Sequence, residues 1–183
     1  MEHAPALGVG SRAPDFTLPK QDGTTIRLGD LCEQAAVVLW FYEKAEAPAA
    51  VAEACAFQKS LDAFRSRGVQ VVGMSADDLD AQRAFAKKYR LEFPLLADAT
   101  GMVCGTYGAL NGRGARHMTY LIGKGATVTH VFERIVPERH PGQLLETIDA
   151  LKKPVAVPAR NGTHAPGNGV VATAAKPAAA KPG

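Results

Sequence analysis

The sequence predicts an α/β domain in which helices cover both faces of a mixed β-sheet. Residues 36–42 form a continuous apolar run, which is typical of a central strand buried on both faces, and the mostly apolar run at 69–75 predicts another buried strand. Helical patterns follow both runs, and two further strand patterns with a final helix come later in the chain. Strands and helices that alternate in this way form a three-layer sandwich.

The N-terminal elements are a small hairpin and, after the first apolar run, a long helix. Residues 13–18 and the alternating run at 24–28 flank a turn at residues 21–23, and this pattern predicts the hairpin. The helix is predicted at about residues 49–66. Gly68 ends it, because a glycine readily adopts the left-handed conformation that follows many helices.

The elements of the second half begin after the second apolar run. Asp78 is expected to cap a helix that ends at Tyr89. A short helical segment follows around residues 102–107. Strand patterns at 118–122 and 127–132 flank a glycine-containing turn and predict a second hairpin.

The last helix, at about residues 142–152, has apolar side chains at helical spacing. The complete order is therefore β-α-β-α-β-β-α, preceded by the N-terminal hairpin. This is the order of elements in the thioredoxin fold, with a central mixed sheet and helices on both of its faces.

The composition fits one globular domain with additional length at its ends. The chain has 183 residues, of which 46% are hydrophobic and 21% are charged. We expect a flexible N-terminus at residues 1–8, a folded domain at 9–153 and a separate tail at 154–183. No run of 18 apolar residues occurs, and the N-terminal residues lack a signal-peptide pattern, so we expect a cytoplasmic protein without a membrane partner.

The positive charge of the chain lies in the predicted tail. The formal net charge is +3, and residues 154–183 contain three basic residues and no acidic one. Eighteen of these 30 residues are Ala, Pro or Gly, which leaves too few large apolar side chains to stabilise a fold. We expect a disordered extension that binds no nucleic acid. A tether to nucleic acid or membrane is the alternative, for which three dispersed charges are a weak basis.

The three cysteines, Cys32, Cys55 and Cys104, are too far apart for a disulfide framework or for metal ligation. None has a second Cys or a His two to four residues away. We therefore expect neither a metal nor another cofactor.

Several short motifs in collinear order resemble one family of redox proteins. They are Ala-Pro-Asp-Phe-Thr-Leu at 13–18, Gln-Asp-Gly at 21–23, Trp-Phe-Tyr at 40–42, Glu-Ala-Cys-Ala-Phe at 53–57, Phe-Pro-Leu-Leu-Ala-Asp at 93–98, Tyr-Gly at 107–108 and Thr-Tyr-Leu-Ile at 119–122. Together they resemble the peroxiredoxins of the alkyl hydroperoxide reductase and thiol-specific antioxidant family. Within it they are most similar to the subfamily called peroxiredoxin Q or bacterioferritin comigratory protein. The resemblance covers about residues 9–152.

The resemblance implies a thiol peroxidase, an antioxidant oxidoreductase. In this family a cysteine in the first turn of a helix is held as a thiolate by backbone donors, the helix dipole and an arginine. The thiolate attacks the O–O bond of a hydroperoxide and becomes a sulfenic acid, with which a second thiol condenses. A thioredoxin or a glutathione-type thiol then reduces the pair. Relatives in this subfamily are often monomers, and we expect a monomer here.

The family's nucleophile is missing from this chain. The subfamily has a pattern similar to Thr-Pro-Gly-Cys-Thr-x-Glu-Ala-Cys at the helix start, and this chain has Ala-Pro-Ala-Ala-Val-Ala-Glu-Ala-Cys at residues 47–55. Pro48 is kept, Cys55 stands at the resolving position and Ala50 stands at the peroxidatic position. A methyl group cannot attack an O–O bond, so we expect ordinary turnover to be absent or strongly impaired.

The polar groups that support the nucleophile also differ. Ala47 lacks the hydroxyl that would bind the peroxide, Val51 replaces a threonine, and Glu43 stands where a proline usually follows the strand. The family's arginine falls at His117, with Arg116 one residue away. Because four of the five positions from Ala47 to Val51 depart from the pattern, natural loss explains the sequence better than one engineered replacement.

Arg116 and His117 have two interpretations. They are either solvent-exposed loop charges or an anion-binding spot beside the free N–H groups of the helix start. Together with Ala47, Pro48 and Ala50 they make up a vestigial pocket.

Cys55 also has two interpretations. Helical spacing places it with Lys59 on the polar side of its helix, so its thiol is expected to be accessible. It is either a relic without a role or a working single thiol that pairs with glutathione or another chain. Cys104 is expected to be a half-buried apolar residue, and Cys32 an incidental residue in a turn.

Two classes of function remain. The first is a peroxiredoxin-like redox protein of the thiol peroxidase family that lacks normal turnover and keeps any residual thiol chemistry at Cys55. The second is a non-catalytic binding or regulatory module that uses the vacated peroxide pocket. Fold resemblance is a weak argument for activity, so the missing nucleophile decides against ordinary catalysis.

Overall fold

The computed structural model describes residues 6–112 and 114–152. The predicted tail at 154–183 and most of the predicted flexible N-terminus at 1–8 lie outside the described residues. In the described part of the chain, no helix is both long and apolar enough to cross a lipid bilayer.

A five-stranded mixed sheet forms the centre of the domain. The strands of the described residues are β1 (Thr17–Pro19), β2 (Thr25–Arg27), β3 (Ala36–Phe41), β4 (Val69–Ser75), β5 (Leu95–Ala97), β6 (Leu110–Asn111), β7 (Gly114–Ala115), β8 (Met118–Gly123) and β9 (Thr127–Phe132). The sheet order is β5-β4-β3-β8-β9, while β1 pairs with β2 and β6 with β7. Because β3 is parallel to β4 and antiparallel to β8, the predicted mixed sheet is confirmed.

Helices lie on both faces of this sheet. They are α1 (Leu28–Gln34), α2 (Pro48–Ser66), α3 (Leu79–Tyr89), α4 (Met102–Thr106) and α5 (His140–Lys152). The ends of α2 follow local signals. Pro48 begins the helix, where a backbone N–H would have no partner within the helix, so the N–H that proline lacks is not missed. Gly68 follows the helix with φ +67°. The side chain of Asp78 accepts a hydrogen bond from the backbone N–H of Ala81 at 2.8 Å, so the predicted cap of α3 is confirmed.

Two apolar clusters fill the space on either side of the sheet. The side chains of β3 and the residue after it alternate between them, with Val37, Leu39 and Phe41 on one face and Val38, Trp40 and Tyr42 on the other. The first face packs against α1 and α4, the second against α2, α3 and α5. α2 turns one apolar stripe towards this second face, since Ala50, Ala54, Phe57, Leu61 and Phe64 are all buried.

The sequence patterns miss three short features: α1, β5 and the ribbon of β6 and β7. β5 has three residues, too few for a pattern of its own, and its pairing with β4 defines it. α1 starts without a side-chain cap, so its N-terminus carries no recognisable signal.

Candidate functional site at the start of helix α2

The start of α2 is where the sequence resemblance places the reactive thiol. Ala47 is the N-cap and supplies no side-chain hydrogen bond, and Pro48 follows in the first turn. Ala50 is only 2% exposed and belongs to the cluster that contains Trp40 and Ala54. The methyl group at the nucleophile position therefore contributes to the apolar core.

Partly buried hydrogen bonds hold the loop before α2 against the end of β4. The backbone N–H of Ala45 donates to Asp77 Oδ2 at 2.6 Å, and the hydroxyl of Ser75 donates to the same oxygen at 2.8 Å. Glu46 has φ +66°, and its carboxylate contacts the ammonium group of Lys88. These contacts fix the approach of the chain to the helix start.

Glu53 and His117 form a contact that the sequence analysis did not anticipate. The side chain of Glu53 is fully buried, and its Oε2 contacts Nε2 of His117. The indole Nε1 of Trp40 lies 3.4 Å from the same imidazole nitrogen. Burial raises the pKa of Glu53, while the contacts with His117 and Trp40 lower it in part. Glu53 is a carboxylate among the apolar residues on the buried side of α2, and this position is the sequence signal that could have pointed to its contact with His117.

His140, at the start of α5, completes this buried cluster. Its ring is fully buried, and Nε2 lies 3.9 Å from Oε1 of Glu53. Burial is the main reason that the pKa of His140 falls to about 4, with the nearby His117 lowering it further. His140 is therefore neutral at physiological pH.

Arg116 and His117 occupy the short link between β7 and β8 rather than a strand. Arg116 donates to the carbonyl of Gly108 at 3.3 Å and pairs with Glu133 at 3.1 Å, and its side chain is 37% exposed. The expectation of solvent-exposed loop charges is wrong for His117, which packs against Glu53 and is 24% exposed.

Both residues border one open cleft of about 540 Å³. Its lining residues are Glu43, Asn111, Gly114, Ala115, Arg116, His117 and Glu133. Ala47, Pro48 and Ala50 are not among them, so the structure brings together only part of the predicted vestigial pocket. Gly114 is required where it stands, because a Cβ there would lie 2.9 Å from the carbonyl oxygen of Glu43.

Cys55 lies on the other side of α2, in a groove of about 800 Å³ between α2, α5 and the segment before α5. Its side chain is partly exposed, as its helical position predicts. Three cationic side chains, Lys59, Arg134 and Arg139, line the groove together with Glu138 and Glu146. An accessible thiol thus lies in a groove with a small excess of positive charge.

The other two thiols are buried on the opposite face of the sheet. Cys104 is fully buried in α4 rather than half-buried, and its backbone N–H donates to Asp98. Cys32 is 1% exposed in α1, so it is a core residue rather than an incidental one in a turn. Burial raises the pKa of both thiols, and the charge of Asp98 adds to the effect at Cys104. Both are therefore poor nucleophiles.

Among residues 6–112 and 114–152, no group of three or more His, Cys, Asp or Glu side chains is arranged to hold a metal ion.

A mixed sheet with helices on both faces, an N-terminal hairpin and a proline-started helix that carries a thiol define a thioredoxin-fold domain of the peroxiredoxin type. The chain belongs to the AhpC/TSA family, whose model matches residues 9–131.

Curated relatives and solved structures agree with this assignment. Chloroplastic peroxiredoxin Q of Triticum aestivum is 38% identical over 150 residues, covering 78% of this chain and 67% of the relative. A putative peroxiredoxin bcp of Coxiella burnetii is 32% identical over 148 residues, covering 76% of this chain and 97% of the relative. The crystal structure of peroxidoxin BcpB from Mycobacterium tuberculosis is similar with a TM-score of 0.74 and 32% identity, covering 79% of this chain and 98% of that one. The resemblance to the peroxiredoxin Q subfamily is thus confirmed.

Proposed function

We propose that this chain is a divergent peroxiredoxin, similar to peroxiredoxin Q, that does not sustain ordinary hydroperoxide turnover. The observation that carries this proposal is the buried methyl group of Ala50 at the family's nucleophile position. Peroxide reduction requires a thiolate that displaces one oxygen of the O–O bond. Neither Ala50 nor its neighbours Ala49 and Val51 offers such a group.

Residual thiol chemistry is assigned to Cys55 because, of the three cysteines, it alone is partly exposed. In thiol–disulfide exchange, the Cys55 thiolate attacks one sulfur of a disulfide, forms a mixed disulfide and releases the other sulfur as a thiolate. Within the described residues, Lys59, Arg134 and Arg139 form no ion pair, so they are available to a thiol that carries carboxylates. A glutathione-type thiol fits this description.

In this proposal the protein acts as a cytoplasmic monomer, with thioredoxin or a glutathione-type thiol as reductant. Three unpaired cysteines support a reducing compartment. The thioredoxin-dependent chemistry of the peroxiredoxin family supports the choice of reductant.

Hydroperoxide consumption in the presence of thioredoxin and its reductase tests the proposal. We expect no turnover by the wild-type chain and measurable turnover by the double variant Ala47→Thr/Ala50→Cys, which returns a thiol and a hydroxyl. Ala47→Thr/Ala50→Ser is the matched control, because serine is similar in size to cysteine but has no thiol. Turnover by the wild-type chain that Cys55→Ser abolishes would mean that Cys55 is the nucleophile and that the proposal is wrong.

The assignment of Cys55 has its own test. After incubation with glutathione disulfide, mass spectrometry should show one added glutathione on the native wild-type chain and none on the Cys55→Ser variant. If the wild-type chain is not modified, Cys55 is a relic of the resolving position, and the thiol chemistry in the proposal is wrong.

A non-catalytic binding module is the second candidate, and the shared cleft of Arg116 and His117 favours it. A guanidinium and an imidazole are donors for a small anion, which would have to displace Glu133 from Arg116. NMR titration with phosphate and with acetate should shift the resonances of the cleft, and Arg116→Gln should weaken the effect. Resonances that do not move at millimolar anion would contradict this candidate.

A further inference from the structure

All three asparagines of the chain are followed by glycine, and Asn111 is the one among them that lies within the described residues. In an Asn-Gly pair the backbone nitrogen of the glycine can attack the side-chain carbonyl carbon of the asparagine, because glycine has no Cβ to hinder the approach. The attack closes a five-membered succinimide ring. In a folded protein the reaction requires that both groups are accessible and free of hydrogen bonds.

The structure leaves both reacting groups of Asn111 and Gly112 free. Asn111 is the last residue of β6, and both residues are exposed. Among the residues that the structure describes, neither the side-chain amide of Asn111 nor the backbone N–H of Gly112 has a hydrogen-bond partner. Gly112 has φ +62°, and a Cβ there would meet no heavy atom within 4 Å. The nitrogen and the carbonyl carbon that must join are therefore open to each other.

The ribbon of β6 and β7 holds Asn111 only at its outer end. The ribbon consists of two residue pairs, and its strands pair with each other but not with the five-stranded sheet. The inner pair, Leu110 and Ala115, packs against the apolar cluster, whereas Asn111 belongs to the outer pair with Gly114. A terminal pair of a short ribbon opens at a small free-energy cost. Opening allows the side chain of Asn111 to reach the nitrogen of Gly112.

We propose that Asn111 is a self-modifying site, which converts to aspartate or isoaspartate and adds a carboxylate to the cleft beside His117. The Gly112 nitrogen bonds to the side-chain carbonyl carbon of Asn111, and the bond from this carbon to the amide nitrogen breaks. The proton of the Gly112 nitrogen passes through water to the departing amide, which leaves as ammonia. Water then adds to either carbonyl of the succinimide and opens the ring. Water is the sole co-reactant, and no group is oxidised or reduced.

The new carboxylate changes the charge of the cleft that Asn111 borders together with Arg116 and Glu133. Arg116 already pairs with Glu133 at 3.1 Å. A second carboxylate beside the guanidinium competes with any anion that would bind there. Modification of Asn111 should therefore weaken anion binding, a consequence that rests on the anion-binding candidate proposed above. The modification itself depends on neither that candidate nor on Cys55.

Peptide mass spectrometry of the full native chain during incubation in mildly alkaline buffer tests the modification. We expect the Asn111 peptide to gain the mass of an amide-to-acid change, at a rate within about tenfold of that in the urea-denatured chain. Both aspartate and isoaspartate should form, because direct hydrolysis of the amide gives aspartate alone. Asn111→Gln is the matched control, since its longer side chain keeps the amide and cannot close the five-membered ring.

Two results would overturn the modification. One is an Asn111 peptide that converts in the denatured chain and stays unmodified in the native chain. The other is a native product without isoaspartate, which would exclude the succinimide route.

Asn111→Asp tests the consequence for the cleft, since it supplies one product directly. In the phosphate titration it should weaken binding by about threefold, as expected for one exposed charge. Gln34→Glu, which adds the same charge at the exposed end of α1, is the control and should bind as the wild-type chain does. Equal binding by Asn111→Asp and Gln34→Glu would overturn the effect on anions. The mass measurement decides the modification separately, so the two failures are distinguishable.

Discussion

Nε2 of His140 lies 3.9 Å from Oε1 of Glu53, and both side chains are fully buried. The two residues join the middle of α2 to the start of α5, and neither the ring nitrogens of His140 nor Oε1 of Glu53 has a hydrogen-bond partner of good geometry in the described residues. A buried imidazole without partners resists protonation, and a buried carboxylate resists ionisation. The pair therefore links the stability of the domain to pH in two opposite ways.

Acid should destabilise the domain through His140. Its pKa is depressed from 6.5 to about 4, so the stabilisation is fully present above pH 6.5 and is lost as the pH falls through about 4. The shift corresponds to about 3 kcal/mol in the free energy of unfolding. Urea denaturation at several pH values should show the loss in the wild-type chain. His140→Phe keeps the ring packing against Phe57 and Phe132. In this variant the free energy of unfolding should depend less on pH. The raised pKa of Glu53 acts with the opposite sign, so its effect is tested separately with Glu53→Gln.

The three thiols should differ sharply in reactivity. Cys55 is partly exposed, whereas Cys32 and Cys104 are buried and have raised pKa values. Titration with Ellman's reagent should give about one reactive thiol per native chain and about three in denaturant. Cys55→Ser should remove the native reaction. Rapid reaction of a second thiol in the native state would contradict the placement of α1 or α4.

Gly73→Ala should destabilise the domain although the change is a single methyl group. A Cβ at Gly73 would lie 2.7 Å from Cδ2 of Leu95 and 3.1 Å from the ring of Trp40. Overpacking of a filled core costs about 1–3 kcal/mol. The matched control is Gly142→Ala in α5, which meets no heavy atom within 4 Å and should be neutral or stabilising. Thermal unfolding of both variants makes the comparison, and equal melting temperatures would contradict it.

Tyr42→Phe should break a buried chain of hydrogen bonds. The hydroxyl of Tyr42 donates to the side-chain oxygen of Gln82, whose amide donates to Ser75 at 2.7 Å. Loss of the hydroxyl leaves a buried oxygen of Gln82 without its donor, at a cost of about 1–3 kcal/mol. Tyr89→Phe is the control because that hydroxyl bonds at the exposed surface. Chemical denaturation should separate the two variants, and a loss at Tyr89 equal to that at Tyr42 would count against the buried chain.

Much of the fold follows from the sequence because its strongest elements carry local patterns. β4 has the predicted limits, and the cap of α3 lies at the predicted aspartate. Short elements such as β5 depend on pairing with a neighbour, which no local window contains. β5 and the ribbon of β6 and β7 are missed for this reason, and α1 is missed because its start carries no side-chain cap.

The candidate site was predictable only in part. The resemblance located Ala50 and Cys55, since both lie in one continuous motif. The contact between Glu53 and His117 joins residues 64 positions apart, and it depends on how β8 and α2 pack. Burial of Cys104 likewise follows from tertiary packing rather than from its local sequence.

The strand layer separates the thiols of this protein into two groups. Cys55 lies on the side of α2, while Cys32 and Cys104 belong to the cluster under α1 and α4. A disulfide between Cys55 and either buried thiol would require the sheet itself to open. An oxidising equivalent that Cys55 takes up therefore passes to a small thiol or to another protein rather than to Cys32 or Cys104.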